Sequence, residues 1–234
     1  KINTKINFDK LKLENEIAHG AFGSVYHATN GKSTNNRMVV KKTKKSIPLQ
    51  FFSLIVNGKF QGTMFDKEVN ALKYLSKIGI APKIYYSNKD KMIYVIEKLE
   101  TTLFDMIQNN EFKDKHLREL TKTFKKLRKT PFIHNDLHEA NIMYSKKRNK
   151  FYIIDWGIFK IKSSCLDSTK SKKRKSKNTQ NDNQCYQFTS VNVAILSHLI
   201  LYLDINIRKF KESSINTFLN LFNLKTLGEA RQII

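Results

Sequence analysis

The octapeptide HNDLHEAN, residues 134–141, is the stretch that decides how the rest of this 234-residue sequence is interpreted. The apolar pair 132–133 precedes it and the apolar pair 142–143 follows it. Asp136 and Asn141 carry hard oxygen atoms, which suit acceptance of a hydroxyl proton or binding of Mg²⁺. The octapeptide therefore predicts a site where one of these side chains acts on a reacting group and another holds a metal ion.

Two histidines in the same octapeptide allow a different reading. His134 and His138 have the i, i+4 spacing of a pair of metal ligands. Zinc sites use three or four protein ligands, and no third ligand has a suggestive spacing here. Zinc is therefore not favoured, and His134 is expected to be a packed, hydrogen-bonded core residue.

Just after the octapeptide, the segment Ile153-Ile154-Asp155-Trp156-Gly157 has the pattern of an apolar strand that delivers a carboxylate to its end. Asp155 is thus a second carboxylate of the same hard-oxygen type. We expect it to be a further ligand for a cation.

Before the octapeptide, residues 65–78 show helical periodicity, with Phe65 and Leu72 on one stripe and Glu68 on the same stripe. A carboxylate on a core-facing stripe requires a cationic partner, because a lone buried charge is costly. Lys41, which ends the apolar run 38–40, is a suitable partner. The alternative is that Val69 defines the stripe and leaves Glu68 at its wet edge, with Lys41 part of a solvated basic run.

Closer to the amino terminus, the segment Gly20-Ala21-Phe22-Gly23-Ser24-Val25 lies between two candidate strands. Glycines let backbone amides approach a phosphate closely because no Cβ stands in the way. A tight hairpin that binds no ligand would have the same glycines in its sequence. A phosphate-binding loop and a simple hairpin therefore both stay open at this point.

Composition sets limits on the remaining choices. Hydrophobic residues make up 40% of the sequence, so a core can form. The net charge of +23 implies affinity for nucleic acid, acidic protein segments or a membrane surface, unless it reflects a lysine-rich codon bias. Cys165 and Cys185 suit a reducing compartment. The amino terminus, which starts with Lys rather than Met, has no apolar run, and 191–203 is too short to span a membrane. We expect a soluble intracellular protein, in cytoplasm or nucleus.

The pattern along the chain indicates a β-rich first part and a helical second part. We predict a β-meander over 12–42, strands over 84–86 and 92–96, and helix from about Leu103 to Pro131. Residues 161–185 contain seven Lys or Arg and two Asp, which is typical of a loop or disordered insert. Its run 172–175 reads as a nuclear address, a nucleic-acid contact or a solvated loop. Helical periodicity resumes at about Val191 and continues to Leu227.

Taken in order, the glycine loop, strand lysine, helix glutamate, H-x-D-x-x-x-x-N and D-x-G resemble the protein-kinase superfamily over roughly residues 12–160. The resemblance implies an α+β, bilobal protein-kinase-like fold. It has a β-rich N-lobe, residues 1–97, with one main helix, and a reduced helical C-lobe, residues 98–234. It also implies an ATP-dependent phosphotransferase that uses Mg²⁺ and acts on Ser or Thr of a protein substrate.

The same resemblance implies a role for each matching residue. Asp136 would orient the acceptor hydroxyl or accept its proton, Asn141 and Asp155 would hold Mg²⁺, and Lys41 would pair with Glu68 while holding the α- and β-phosphates of ATP. The remaining ATP contacts would come from the glycine loop, the strand before Lys41 and the hinge: Ala18, Gly20, Gly23, Val25, Val39, Ile96, Glu97 and Leu99.

Several positions depart from the family pattern. Ala18 stands where a first glycine is usual, Asn135 replaces the usual Arg, His138 replaces the usual Lys, and Trp156 replaces the usual Phe. No A-P-E follows Asp155. The combination D-L-H-x-x-N with I-D-W-G looks more like aminoglycoside and choline kinases and atypical protein kinases. A small-molecule kinase and a non-catalytic scaffold that binds an acidic partner are therefore the alternatives. The short stretch after Gly157 favours an open site and a macromolecular substrate.

Overall fold

The computed structural model describes residues 11–29, 34–44, 63–161 and 190–232. The chain forms two compact units, of which the first comprises Lys1–Leu99 with Asp155–Ile158, and the second Glu100–Ile154 with Phe159–Ile234. The lobe boundary expected after residue 97 stays a prediction. The segment Asp155–Ile158 belongs to the first unit although most of that unit lies far earlier in the sequence, a grouping that the sequence did not indicate.

The first unit is built on a five-stranded antiparallel sheet in the order β1-β2-β3-β5-β4. The strands agree with the meander and the two further strands predicted from alternation. Their bounds are β1 Lys12–Gly20, β2 Gly23–Thr29, β3 Thr34–Thr43, β4 Ile84–Asn88 and β5 Ile93–Glu97.

One face of this sheet carries a small apolar core. Ala28, Met38, Val40 and Val95 are buried together there, and Val40 lies directly opposite Val95 in the register of β3 and β5. Successive side chains of a strand point to opposite faces. Burial of Val40 on this face therefore turns Val39 and Lys41 to the other one.

The helix α1, Met64–Lys77, begins at a capping box. Thr63 Oγ1 accepts a hydrogen bond from the backbone N–H of Asp66, and the Asp66 carboxylate accepts one from the backbone N–H of Thr63. These two bonds satisfy amide donors that a helix start otherwise leaves without partners. The predicted helix over 65–78 is thus confirmed to within a residue at each end.

The second unit combines short strands with helices. The strands β6 Thr101–Thr102, β8 Ile142–Ser145 and β9 Lys150–Ile153 form one sheet, and β7 Phe132–Ile133 pairs with β10 Lys160–Ile161. The helical stretch predicted from Leu103 to Pro131 is two helices, α2 Leu103–Gln108 and α3 Asp114–Arg128. The break falls at Asn110, whose φ of 56° is left-handed and ends a helix.

The helical pattern predicted to continue from Val191 to Leu227 is also divided. The structure has α4 Ser190–Ile205, α5 Glu212–Leu219 and α6 Leu227–Arg231, with short 3₁₀ turns between them. Asn223 adopts a left-handed φ of 59° before α6. Of the predicted insert 161–185, Ile161 lies in β10 and the other residues lie outside those described. Within the described ranges, every helix is too short or too polar to cross a membrane.

His116 links α3 to the second unit's core. It is 6% exposed, and its Nδ1 accepts a hydrogen bond of 3.0 Å from the backbone N–H of Lys113. Its ring packs edge-on against Tyr144, with 4.9 Å between the ring centroids. Burial and the charge of Lys115 lower the pKa of His116 below its ordinary value of 6.5. Because Nδ1 accepts a hydrogen bond, this imidazole is the neutral tautomer with its proton on Nε2.

Acidification should destabilise the fold through His116. Because its pKa is lower in the folded than in the unfolded state, the unfolded state binds the proton first, and stability falls as pH drops through 6.5 toward the folded-state pKa. We expect the urea midpoint to fall between about pH 7.5 and about pH 5.5. In His116→Gln, where the amide oxygen can still accept the Lys113 N–H, the fall should be smaller. An equal fall in both proteins would show that other groups cause it.

Candidate active site

Residues from four strands meet on the face of the first unit's sheet that carries Lys41. The register places Ala18 opposite Val25, Val25 opposite Lys41, and Lys41 opposite Tyr94. A second row on the same face contains Val39 opposite Ile96. The predicted cofactor-binding side chains Ala18, Val25, Val39, Lys41 and Ile96 thus share one face, and the four apolar ones provide apolar surface next to the lysine.

The glycine pair closes the hairpin between β1 and β2, with Gly20 directly opposite Gly23. A Cβ built on Gly23 would lie 2.3 Å from the carbonyl oxygen of Lys42, which is closer than atoms can approach. A Cβ on Gly20 would meet nothing nearer than a backbone oxygen at 3.8 Å. The packing of the hairpin is enough to require glycine at position 23. Packing does not require glycine at position 20.

Alanine substitutions should separate these two glycines. Gly23→Ala should lower the melting temperature, because β2 must move away from β3 to admit a methyl group. A cost of about 1–3 kcal/mol is expected for such overpacking. Gly20→Ala should melt within about 0.5 kcal/mol of the parent protein, as a surface change does. Thermal unfolding of the two variants checks this, and similar melting of both would contradict the distinction.

Lys41 forms the centre of a buried charged cluster. Its Nζ donates a hydrogen bond of 2.7 Å to Glu68 Oε1 on α1 and another of 2.7 Å to Asp155 Oδ1. Lys41 is 7% exposed and Glu68 is 0% exposed. Glu68 therefore lies on the buried stripe of α1, and the alternative that placed it at a wet edge is wrong. The neighbouring Lys42 is exposed.

The cluster keeps Lys41 charged. Burial acts to lower the pKa of Lys41, but the carboxylates of Glu68 and Asp155 outweigh this and raise it above its ordinary value. Burial also raises the pKa of Glu68, against the opposing effect of the Lys41 ammonium. The result is a fixed cation facing the apolar side chains of the same sheet face, which is a suitable environment for an anionic ligand.

Tyr94 is a member of this cluster that the sequence did not single out. It is 1% exposed, and burial together with the charges of Glu68 and Asp155 raises the pKa of its hydroxyl well above 10. Its ring also lies 6.2 Å, centroid to centroid, from Phe65 of α1. Tyr94 lies two residues before Ile96, so strand alternation could have placed it on the same face of β5.

The segment after β9 is held in a specific backbone conformation. Asp155 has a left-handed φ of 60°, which is uncommon for a residue with a Cβ, although Asp tolerates it better than most. Trp156 is fully buried, and a Cβ on Gly157 would come within 2.4 Å of the Met64 side chain of α1. The buried Trp156 and the close approach at Gly157 support the left-handed turn that points Asp155 toward Lys41.

In the second unit, His134 fixes the backbone next to Asp136. The His134 ring is 2% exposed; its Nε2 donates to the carbonyl oxygen of Ile154 at 2.7 Å, and its Nδ1 accepts from the backbone N–H of Asp136 at 3.3 Å. Acceptance at Nδ1 requires the neutral tautomer with its proton on Nε2. His134 is thus the packed, hydrogen-bonded residue that the sequence predicted, and it positions Asp136.

Two hydrogen bonds fix the side-chain amide of Asn141. Its side-chain NH₂ donates to the carbonyl oxygen of Asp136 at 2.8 Å and to His138 Nε2 at 2.9 Å. The carbonyl oxygen accepts only, so the amide nitrogen must be the atom that faces it. The amide oxygen, the hard atom, then points the other way. Asn141 and the carboxylate of Asp155 both fit Mg²⁺, each in its own unit.

Two further residues of the octapeptide have clear structural roles. Asn135 has a left-handed φ of 65°, a conformation in which Asn is several-fold enriched. Glu139, 8% exposed, accepts a hydrogen bond of 2.7 Å from His198 Nδ1 on α4. That contact joins the octapeptide to α4, although Glu139 and His198 are 59 residues apart in the chain. No pattern in the sequence predicted it.

The predicted hinge residues lie at the end of β5. Ile96 is on the Lys41 face, whereas Glu97 pairs with Met38 and points to the other face. The backbone N–H of Glu97 donates to Lys83 at 2.9 Å, and Leu99 is buried. Any contact of Glu97 with a ligand on the Lys41 face would therefore involve its backbone carbonyl rather than its side chain.

Three curated proteins are similar to the chain at low identity. The chain is 27% identical over 173 residues to the probable cyclin-dependent kinase 8 of Dictyostelium discoideum, covering 68% of this chain and 43% of that protein. It is 24% identical over 157 residues to cyclin-dependent kinase F-4 of Oryza sativa subsp. japonica, covering 64% and 31%. It is 28% identical over 149 residues to serine/threonine-protein kinase 1 of Heliothis zea nuclear polyhedrosis virus, covering 50% and 55%.

In each case the chain spans between about a third and about half of the relative's length. A sequence profile described as "protein kinase domain" matches residues 11–181. The match includes the glycine hairpin, the Lys41 cluster, the octapeptide and Asp155, so the sequence features and the structural ones agree. The chain belongs to the protein kinase domain family and has that family's α+β fold.

Proposed function

We propose that the chain is an active protein kinase that transfers the γ-phosphate of ATP to Ser or Thr hydroxyls of a protein substrate, with Mg²⁺ as cofactor. The observation that carries the proposal is the buried cluster in which Lys41 contacts both Glu68 and Asp155. Burying the charges of Lys41 and Glu68, with Asp155 partly buried beside them, is expensive unless they serve a purpose that apolar residues cannot. A fixed cation for nucleotide phosphates is such a purpose.

In this proposal the nucleotide lies on the Lys41 face of the first unit's sheet. Val25, Val39 and Ile96 supply apolar surface for the adenine, and backbone groups between Ile96 and Leu99 supply its polar contacts. Lys41 holds the α- and β-phosphates. Gly20, whose Cβ position is open, leaves room for the phosphates to approach the backbone amides of the hairpin.

Asn141 and Asp155 would hold Mg²⁺, which neutralises negative charge on the phosphates when it is bound. Asn141 is prepared for this role because its NH₂ group is committed to Asp136 and His138. Asp155 is oriented by its left-handed backbone and by Lys41. Each residue thus has its hard oxygen atoms positioned before a cation arrives.

Asp136 would orient the acceptor hydroxyl and accept its proton. The side chain is partly exposed, while its backbone is held on both sides, by the bond from its N–H to His134 and by the bond from Asn141 to its carbonyl. Such a base must be rigidly placed within reach of the hydroxyl. Ser or Thr as acceptor is supported by the similarity to the viral relative, which is named a serine/threonine-protein kinase.

Incubation with γ-labelled ATP and Mg²⁺ tests the proposal. A mixture of generic protein acceptors should become labelled on Ser or Thr, and chelation of Mg²⁺ should stop the labelling. Choline and an aminoglycoside offered in parallel should stay unlabelled. Label on either small molecule would favour a small-molecule kinase, and nucleotide binding without any label would favour a non-catalytic scaffold.

A further inference from the structure

The helix α3 and the hairpin of β8 and β9 place several cations side by side on the second unit. Thr123 Oγ1 donates a hydrogen bond of 3.2 Å to the backbone carbonyl of Phe151, which fixes α3 against β9. Lys126 lies one turn after Thr123, and Lys150 immediately precedes Phe151. This hydrogen bond therefore brings Lys126 of α3 close to Lys150 of β9.

The hairpin holds these charges in fixed positions. Arg148 donates a hydrogen bond of 3.0 Å to the hydroxyl of Tyr152, and Lys150 Nζ lies 5.2 Å from the centre of the Tyr152 ring. Burial, Lys126 and Arg148 all lower the pKa of Lys150. Lys126 and Arg148 thus lie close enough to Lys150 to repel it, and the contacts with Tyr152 hold Arg148 and Lys150 in place.

A neighbouring carboxylate, Glu119, offsets this repulsion only in part: it acts to raise the pKa of Lys150, whereas burial and the two cations outweigh it and lower that pKa. Glu119 is paired with Lys122 at 2.6 Å, and Asp114 is paired with Arg118. In the part of the chain that the structure describes, no ion pair joins Lys126 or Lys150 to a carboxylate. An anion from another molecule would relieve the repulsion.

The cationic region extends to the end of α3. There an open cavity of about 500 Å³ is lined by Lys125, Arg128 and Lys129, together with residues of α5 and the turn after it. Cations in the last turn of a helix are favourable to the helix dipole, which accounts for these three without any ligand. The dipole does not account for Arg148 and Lys150, because they lie on the hairpin.

We propose that this surface binds an acidic polypeptide segment, and, resting on the proposed function, that the segment belongs to the protein substrate. We define the α3–hairpin surface by its six cations, of which Lys122 also pairs with Glu119: Lys122, Lys125, Lys126, Lys129, Arg148 and Lys150. Lys122, Lys126 and Lys129 form one stripe, with a rise of about 6 Å between the first two. Carboxylates at alternate positions of an extended peptide are about 6.6 Å apart, which matches that spacing.

The side chains on the surface favour a peptide over a nucleic acid. Proteins that bind single strands combine cations with aromatic rings on which bases stack. Tyr152, the aromatic residue that contacts both Arg148 and Lys150, is only 3% exposed. Among the described residues, the exposed large aromatic side chains are Tyr74 and Phe104, and neither lies on α3 or the hairpin.

Fluorescence anisotropy with a fluorescein-labelled peptide of alternating Glu and Gly tests the proposal. The double variant Lys126→Glu with Lys150→Glu should bind the peptide at least about tenfold more weakly at about 50 mM salt. The control, Lys73→Glu with Lys91→Glu, changes the net charge equally at two exposed positions of the first unit and should bind like the parent protein. Equal weakening in both would show that only the net charge matters and would overturn the proposal.

A neutral double variant distinguishes loss of peptide binding from loss of the fold. Lys126→Gln with Lys150→Gln removes repulsion, so it should melt no lower than the parent protein while binding the peptide more weakly. Unchanged peptide binding by this folded variant would overturn the proposal. So would at least about tenfold tighter binding of a single-stranded oligonucleotide of equal charge, lost in the same variant, which would assign the surface to nucleic acid.

The link to catalysis is measured separately. An acceptor peptide with a Glu-rich extension should have a lower KM than the same acceptor without it, and the Lys126/Lys150 charge reversal should remove that advantage without changing kcat. No labelling of either acceptor would contradict the proposed function alone, because anisotropy needs no catalysis. Labelling of both with equal KM would overturn substrate docking at this surface.

Discussion

Lys41→Met is expected to reduce the rate of phosphotransfer by about a hundredfold or more, the size of effect seen when a fixed stabilising group is removed from a transition state. The variant removes the cation that contacts Glu68 and Asp155 and that we place against the nucleotide phosphates. It also leaves Glu68 buried without its cation, which costs stability. Thermal unfolding should therefore be measured beside the rate, so that loss of fold is distinguished from loss of chemistry.

Lys42→Met is the matched control for this prediction. Lys42 is the next residue of β3, carries the same charge and points to the opposite face of the sheet, where it is exposed. Its replacement should leave turnover near that of the parent protein. Greater loss of turnover in Lys42→Met than in Lys41→Met would mean that the wrong lysine of the run has been placed against the phosphates.

The first unit could be predicted well from the sequence because its decisive contacts obey local rules. Alternation along β3 is sufficient to place Val39 and Lys41 on one face, and helical periodicity put Glu68 on the buried stripe of α1. A buried carboxylate then required a cation, and the strand lysine was available. The structure brings these residues together with a separation of 2.7 Å between Lys41 Nζ and Glu68 Oε1.

The contacts that the sequence did not reveal join residues with no periodic relation. Glu139 and His198 are 59 positions apart, and the approach of Lys126 to Lys150 depends on how α3 packs against β9. Helix ends were also missed in the second unit. Left-handed Asn110 and Asn223 interrupt apolar patterns that continue past them, and periodicity alone is insensitive to a single residue that changes its backbone region.

Asp136→Asn and Asp155→Asn should separate chemistry from nucleotide binding. Asp136→Asn is expected to lower the rate of phosphotransfer by about 10²–10⁴-fold, because an amide cannot accept the hydroxyl proton. It should keep its affinity for Mg-ATP, since we place no nucleotide contact on this side chain. Its backbone bonds to His134 and Asn141 do not involve the carboxylate and should persist.

Asp155→Asn should lose both phosphotransfer and affinity for Mg-ATP. The amide has lower charge than the carboxylate, so Mg²⁺ and the phosphates it neutralises should bind at least about tenfold more weakly. Lys41 would keep Glu68 as its partner, so the cluster should persist in part and the variant should still fold. Titration of a fluorescent ATP analogue with and without Mg²⁺ measures this directly. Equal Mg-ATP affinity in Asp155→Asn and the parent protein would remove the metal role from Asp155, and would leave its contact with Lys41 as a structural pair.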